Sequence, residues 1–321
     1  MILNPDKIWK EFENNRLDKL TASELLIALI ENSNNEDIRI KAIEYLMKIR
    51  ILKDKLFDIL ENLLVSDESE KVRYLAVKFI GENFLHKSIS LLIWAINHEK
   101  NYNSLIEIIK LLGKVDNEET KLVLFNEIRK IIKTKYLNKK RKIENKKFKK
   151  VLKKLLKEKD YEEFTHNEFV QILINFLTIS NLFSHYYNVY YETNSQNGLI
   201  EKLDLSDYVE YEVKGTPWEW KNNITDLSEI PGLNNLNNLK YIDLSNNQIN
   251  DIELIIHFQD LTHLILTNNN LSAEINLNYL TSLPNLIYLD LRGNDIINNI
   301  KLNDFPPQTR VLLRDSYIKI K

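Results

Sequence analysis

The segments "LKYIDLSNNQI", "LTHLILTNNNL" and "LIYLDLRGNDI" obey one template, L-x-x-L-x-L-x-x-N-x-L, and begin at Leu239, Leu261 and Leu286, 22 and 25 residues apart. Nothing else in the chain restricts its fold so tightly. Alternate apolar positions specify a short strand with one face turned inward, because successive strand side chains point to opposite sides. The Asn at the ninth place (Asn247, Asn269, Asn294) then turns inward at a bend and bonds backbone groups that burial would otherwise leave unsatisfied. A single copy cannot close its own core, so neighbours must stack. Two looser copies flank these three. "IEKLDLSDY" begins at Ile200 and carries Tyr208 at the Asn place; "QTRVLLRDSYI" begins at Gln308 and carries Ser316 there. The last copy loses its Asn as an end turn does, and Pro306-Pro307 stiffens its approach.

This spacing resembles leucine-rich repeats. The resemblance implies a horseshoe whose concave face is lined by the residues between the inward Leu positions. One column there reads Lys202, Tyr241, His263, Tyr288, Arg310; the next Asp204, Asp243, Ile265, Asp290, Leu312; the third Ser206, Ser245, Thr267, Arg292, Arg314. Tyr and Arg concentrate at binding hot spots, so Tyr241, Asp243, His263, Tyr288, Asp290, Arg292 and Arg310 are the expected partner-binding residues. The competing account is that strands favour Tyr and Thr by β-propensity alone. Short arrays of this spacing are also similar to those that regulate phosphatases or small GTPases. Ahead of the first copy, "VYYETNSQNGLIEKLDL" predicts strand, Asn-Gly turn and strand, a hairpin that caps an otherwise open edge. "GTPWEW" interrupts the spacing; Trp218 and Trp220 either fill the inward positions of a degenerate copy or stand exposed as partner anchors.

The N-terminal half repeats on a helical period instead. "EDIRIKAIEYLMKI" and "SEKVRYLAVKFIGENF" align at an offset of 34, matching Ile38, Arg39, Ala42 and Leu46 with Val72, Arg73, Ala76 and Ile80. A third copy, "NYNSLIEIIKLLGKV", matches Leu112-Gly113 to Ile80-Gly81. The small Ala permits close helix approach. Second helices fall between the copies ("KDKLFDILENLLV", "HKSISLLIWAIN", "EETKLVLFNEIRKII"), and breaks such as "NSNNED" and "SDESE" supply N-caps. With a first pair near residues 5–15 and 22–32, the expectation is about four helical hairpins. Over roughly residues 20–135 the pattern resembles HEAT repeats, which implies a curved stack that binds macromolecules without catalysis.

Between the halves, "NKKRKIENKKFKKVLKKLLKEK" (Asn138 to Lys159) holds twelve Lys and Arg against Glu144 and Glu158. Its charge of +10 sits in a chain of net −2, so the remainder sums to −12. Phe148, Val151, Leu152, Leu155 and Leu156 fall at helical spacing, giving an amphipathic helix with a wide cationic face. Two readings stand side by side. The stripe docks on the apolar segment "HNEFVQILINFLTISNLFSHYY" and the Lys are solvated; or Lys146, Lys147, Lys149, Lys150, Lys153 and Lys154 meet an anionic membrane, a nucleic acid or an acidic protein.

Chemistry is expected to be absent. Zero Cys removes cysteine nucleophiles and thiolate metal sites, the six Gly are isolated, and no His pair stands at zinc-helix spacing. "HNEF" at His166 lacks its second His. No catalytic residue, metal or cofactor is therefore assigned. "MILNPDKIWKEFENN" turns charged at once, so the cytoplasm is the expected compartment. The expected fold is a multidomain solenoid: HEAT-like all-α hairpins over 1–136, basic bridging helices over 137–187, and an α/β leucine-rich-repeat horseshoe with its capping hairpin over 188–321. The expected role is a monomeric, non-catalytic adaptor for a protein partner.

Overall fold

Short polar side chains open most of the N-terminal helices. Asn4 caps α1 (Pro5–Glu13), Asp18 caps α2 (Lys19–Asn32) and Asn35 caps α3 (Glu36–Ile49). After α4 (Asp54–Ser66), Ser69 caps α5 (Glu70–Asn83). A 3-10 turn leads into α6 (Ile89–His98), and Asn101 caps α7 (Tyr102–Lys114). Each cap oxygen accepts an N–H that the first turn leaves without a helical partner. The chain continues through α8 (Glu118–Lys133), α9 (Lys139–Glu158) and α10 (His166–His185). This computed structural model describes residues 4–50, 54–133, 139–207, 222–296, 300–314 and 317–318. The expectations for Tyr208, Trp218, Trp220 and Ser316 lie outside the described residues.

The chain divides into two compact units, Met1–Glu127 with Thr165–Val170, and Ile128–Phe164 with Gln171–Lys321. In the first, α2 packs on α3 and α4 on α5, while α5 also contacts α3 and α7. Ala42 and Ala76 are fully buried. A side chain at Gly81 would collide with Leu111, and one at Gly113 with Val170. The two aligned arginines play matching parts. Arg39 donates through Nε and Nη2 to the Asp67 carboxylate (2.9 and 2.8 Å) and through Nη1 to the Ser33 carbonyl. Arg73 repeats this with the Glu99 carboxylate (2.8 and 3.2 Å) and the Asp67 carbonyl.

In the second unit α9 buries Phe148, Leu152 and Leu155. The Phe148 ring meets Phe176 of α10 edge-on at 5.4 Å. The described strands form one open sheet in sequence order: β1 (Tyr190–Thr193), β2 (Ile200–Asp204), β3 (Tyr241–Asp243), β4 (His263–Ile265), β5 (Tyr288–Asp290), β6 (Arg310–Leu312) and β7 (Tyr317–Ile318). β2 to β6 run parallel, and β1 and β7 close the ends antiparallel. Gly198, at φ +75, takes the left-handed place in the β1–β2 turn. The returns between parallel strands are mostly 3-10 turns, but α11 (Ile275–Thr281) replaces one of them. That helix accommodates the longer 25-residue interval between Leu261 and Leu286. Each template Leu or Ile of the three central copies is buried at 1% exposure or less.

The three Asn side chains bridge neighbouring turns. Asn269 donates through Nδ2 to the carbonyls of Leu244 and Leu266 (3.0 and 2.9 Å) and accepts from the Ile249 amide (3.0 Å). Asn247 and Asn294 repeat the scheme on their own neighbours. Among the described residues no helix is long and apolar enough to cross a membrane.

Candidate interaction face

Parallel register sets Lys202, Tyr241, His263, Tyr288 and Arg310 side by side across β2 to β6. Tyr241 and His263 lie with ring centroids 5.9 Å apart and planes at 25°, and His263 and Tyr288 repeat those values. The Lys202 ammonium sits 4.3 Å from the Tyr241 centroid, so one end of the aromatic row is closed by a cation. At the other end Arg310 is exposed, and no acid pairs with it among the described residues.

Burial governs the row's electrostatics. It pushes the His263 imidazole below its ordinary value, favouring the neutral ring. His263 Nδ1 shares a 2.9 Å bond with the Thr262 hydroxyl. The Tyr241 phenol is raised, first by burial and then by the charges of Asp243 and Asp204. Asp243 is raised by burial, although Ser245 bonds it through its amide and hydroxyl (3.0 and 2.7 Å). Asp204 holds Ser206 in the same manner. Asp290 differs: it is 2% exposed and Arg292 grips both its oxygens, with contacts down to 2.7 Å. Leu312 beside it is also buried, where β7 pairs with β6. Arg314 is exposed.

On α9, Lys146, Lys147, Lys150, Lys153 and Lys154 are exposed, while Lys149 is half-buried and its pKa is lowered by burial and by Lys153. Lys147 is set apart from the others. Its ammonium lies 4.9 Å from the Tyr190 centroid, and the Lys202 ammonium lies 5.5 Å from that same ring. Sequence reasoning passed over Tyr190. The hairpin register gives the missing signal: Tyr191 pairs with inward Leu203, so Tyr190 and Glu192 share the face of Lys202.

His166 bonds the Asn117 carbonyl at 2.8 Å. Two recesses of about 550 and 270 Å³ in the first unit are lined by the Arg39–Asp67 and Arg73–Glu99 pairs, whose charges satisfy each other. Among the described residues no three His, Cys, Asp or Glu side chains converge as a metal site. Comparison with protein-family models, curated proteins and solved structures finds no match.

Proposed function

We propose that the chain is a non-catalytic adaptor in which HEAT-type helical repeats precede a leucine-rich-repeat array, and a protein partner lies on the concave strand face of that array. The observation that carries this reading is the Tyr241–His263–Tyr288 row, held in register by three successive parallel strands. Rings fixed by their neighbours lose little freedom on binding, and they offer broad contact area with polar edges. The repeated backbone supports the same reading, since it is a rigid platform whose outward residues can vary without disturbing the Asn ladder.

A second reading is favoured by the exposed Lys of α9: attachment to an anionic surface through Lys150, Lys153 and Lys154. One comparison separates the two. The Tyr241→Ala, Tyr288→Ala double variant is expected to keep its urea midpoint yet lose a protein captured from native lysate at physiological salt. Reversal of Lys150, Lys153 and Lys154 to Glu is expected to leave that capture intact. The opposite pattern moves the functional surface to α9.

A further inference from the structure

Two surfaces that are far apart in sequence, the basic helix and the strand face, meet in the second unit. The Lys147 ammonium of α9 and the Lys202 ammonium of β2 both lie against the Tyr190 ring, at 4.9 and 5.5 Å from its centroid. Lys202 also covers Tyr241 at 4.3 Å. From Tyr241 the row runs through His263 and Tyr288 to the exposed Arg310 in the next strand. The result is one unbroken strip, Lys147–Tyr190–Lys202–Tyr241–His263–Tyr288–Arg310, with cations at both ends and one near its middle.

We propose that this strip, and not the strand column alone, receives the partner, and that its occupant is an extended acidic peptide segment. The proposal rests on the protein-partner reading above and names the chemistry of that partner. Five strand steps of about 4.8 Å separate β1 from β6, so the stretch from Tyr190 to Arg310 spans about 24 Å at the backbone. Roughly seven extended residues cover that length at about 3.3 Å each. The ammoniums and the Arg310 guanidinium meet carboxylates, and the rings between them take apolar side chains along their edges.

Polyanionic nucleic acid fits less well, for two reasons on the same face. A base inserted between two rings needs a gap of about 6.8 Å, twice the 3.4 Å stacking rise, whereas the rings stand 5.9 Å apart. Lys202 already occupies a face of Tyr241 and of Tyr190. In addition, Asp204 and Asp243 line the neighbouring column, each with one oxygen committed to a Ser hydroxyl. Their charge, at two of the five steps, opposes a strand with a phosphate at every nucleotide more than a peptide that carries carboxylates only at intervals, and their free oxygens can accept the peptide's backbone N–H groups. Lys202 is partly neutralised by Glu192 at 3.5 Å, so the two ends, Lys147 and Arg310, carry most of the charge preference.

The test uses the full chain and three labelled probes read by fluorescence anisotropy: a ten-residue peptide of alternating Glu and Leu, its Lys and Leu counterpart, and decauridylate. The Glu peptide is expected to bind best, and its Kd to rise roughly tenfold in Arg310→Glu and again in Lys147→Glu. Lys150→Glu and Lys153→Glu, on the same helix but off the strip, are expected to change it less than about twofold. Lys147 and Arg310 are both exposed, so neither reversal buries a charge, and a urea melt checks the fold of each variant. Equal or tighter binding of the Lys peptide or of decauridylate overturns the proposal, as does failure of the Glu peptide to bind. If both reversals are neutral while Tyr241→Ala, Tyr288→Ala removes binding, the acidic strip is wrong and the protein-partner reading survives. If the Tyr variant is neutral too, both fail.

Discussion

Asn269 makes three buried bonds that tie its own turn to the preceding one. Asn269→Ala removes one carboxamide but strands several backbone partners, so it is expected to cost about 1–3 kcal/mol, read as a lower urea midpoint. An unchanged midpoint removes the ladder from the account of what holds the strands together. This role is legible because the template fixes one polar position among fixed apolar ones, at Asn247, Asn269 and Asn294. Asn276 and Asn175 perform similar service and were not legible. Asn276 is fully buried, donating to the Asn250 carbonyl and accepting from the Ile252 amide. Asn175 accepts from the amide of Ile200, where the first parallel strand begins. Neither recurs at a fixed interval, so only the folded chain reveals what they bond. His263 gives a second prediction at this scale. Burial lowers its folded pKa, so the unfolded chain binds the extra proton first, and stability is lost as pH falls below about 6.5. Asp243, raised by burial, acts with the opposite sign at lower pH, losing stability as pH rises past its unfolded value. His263→Phe keeps a ring in the row and removes the titration. Its urea midpoint is expected to fall less than the parent's between about pH 7.5 and about pH 5.5; equal falls sink the idea.

At the scale of the element, helices and strands were more legible than their contacts. The aligned segments coincide with α3, α5 and α7, and the template positions coincide with β3, β4 and β5. Periodicity reports which face is buried, but not what covers it. The paired roles of Arg39 and Arg73 illustrate the gap. Their alignment was visible, yet their acids, Asp67 and Glu99, lie 28 and 26 residues on, at an interval that matches no helical spacing. Burial pushes Glu99 up, but Arg73 and the amides of Asn101 and Lys100 together hold it below the usual carboxylate range. Ala76 tests the packing itself. It is fully buried on α5, which contacts α3, α4 and α7. Ala76→Leu adds three carbons where there is no room and is expected to cost roughly 1–3 kcal/mol. A variant that melts like its parent places Ala76 off the contact.

The chain divides into two compact units, each with buried apolar residues, and its charge is unevenly divided along the sequence. The +10 segment belongs to the second unit, where the apolar stripe of α9 is buried against aromatic rings of the same unit. Sequence alone left that segment open, because a Lys-rich amphipathic helix reads alike whether it is docked or free. In the structure the helix is docked: α9 supplies core residues with one side and exposes Lys on the other. Two cores also set an expectation for unfolding. Units with their own buried interiors melt as separate cooperative steps when each is stable alone. Calorimetry is expected to resolve two transitions. Asn269→Ala, deep in the strand core, should lower one of them, and Ala76→Leu, deep in the helical core, should lower the other. Combining the changes should shift both by the amounts seen singly, because sites with no shared partners add. A single transition that both substitutions lower equally shows instead that the two cores fold as one.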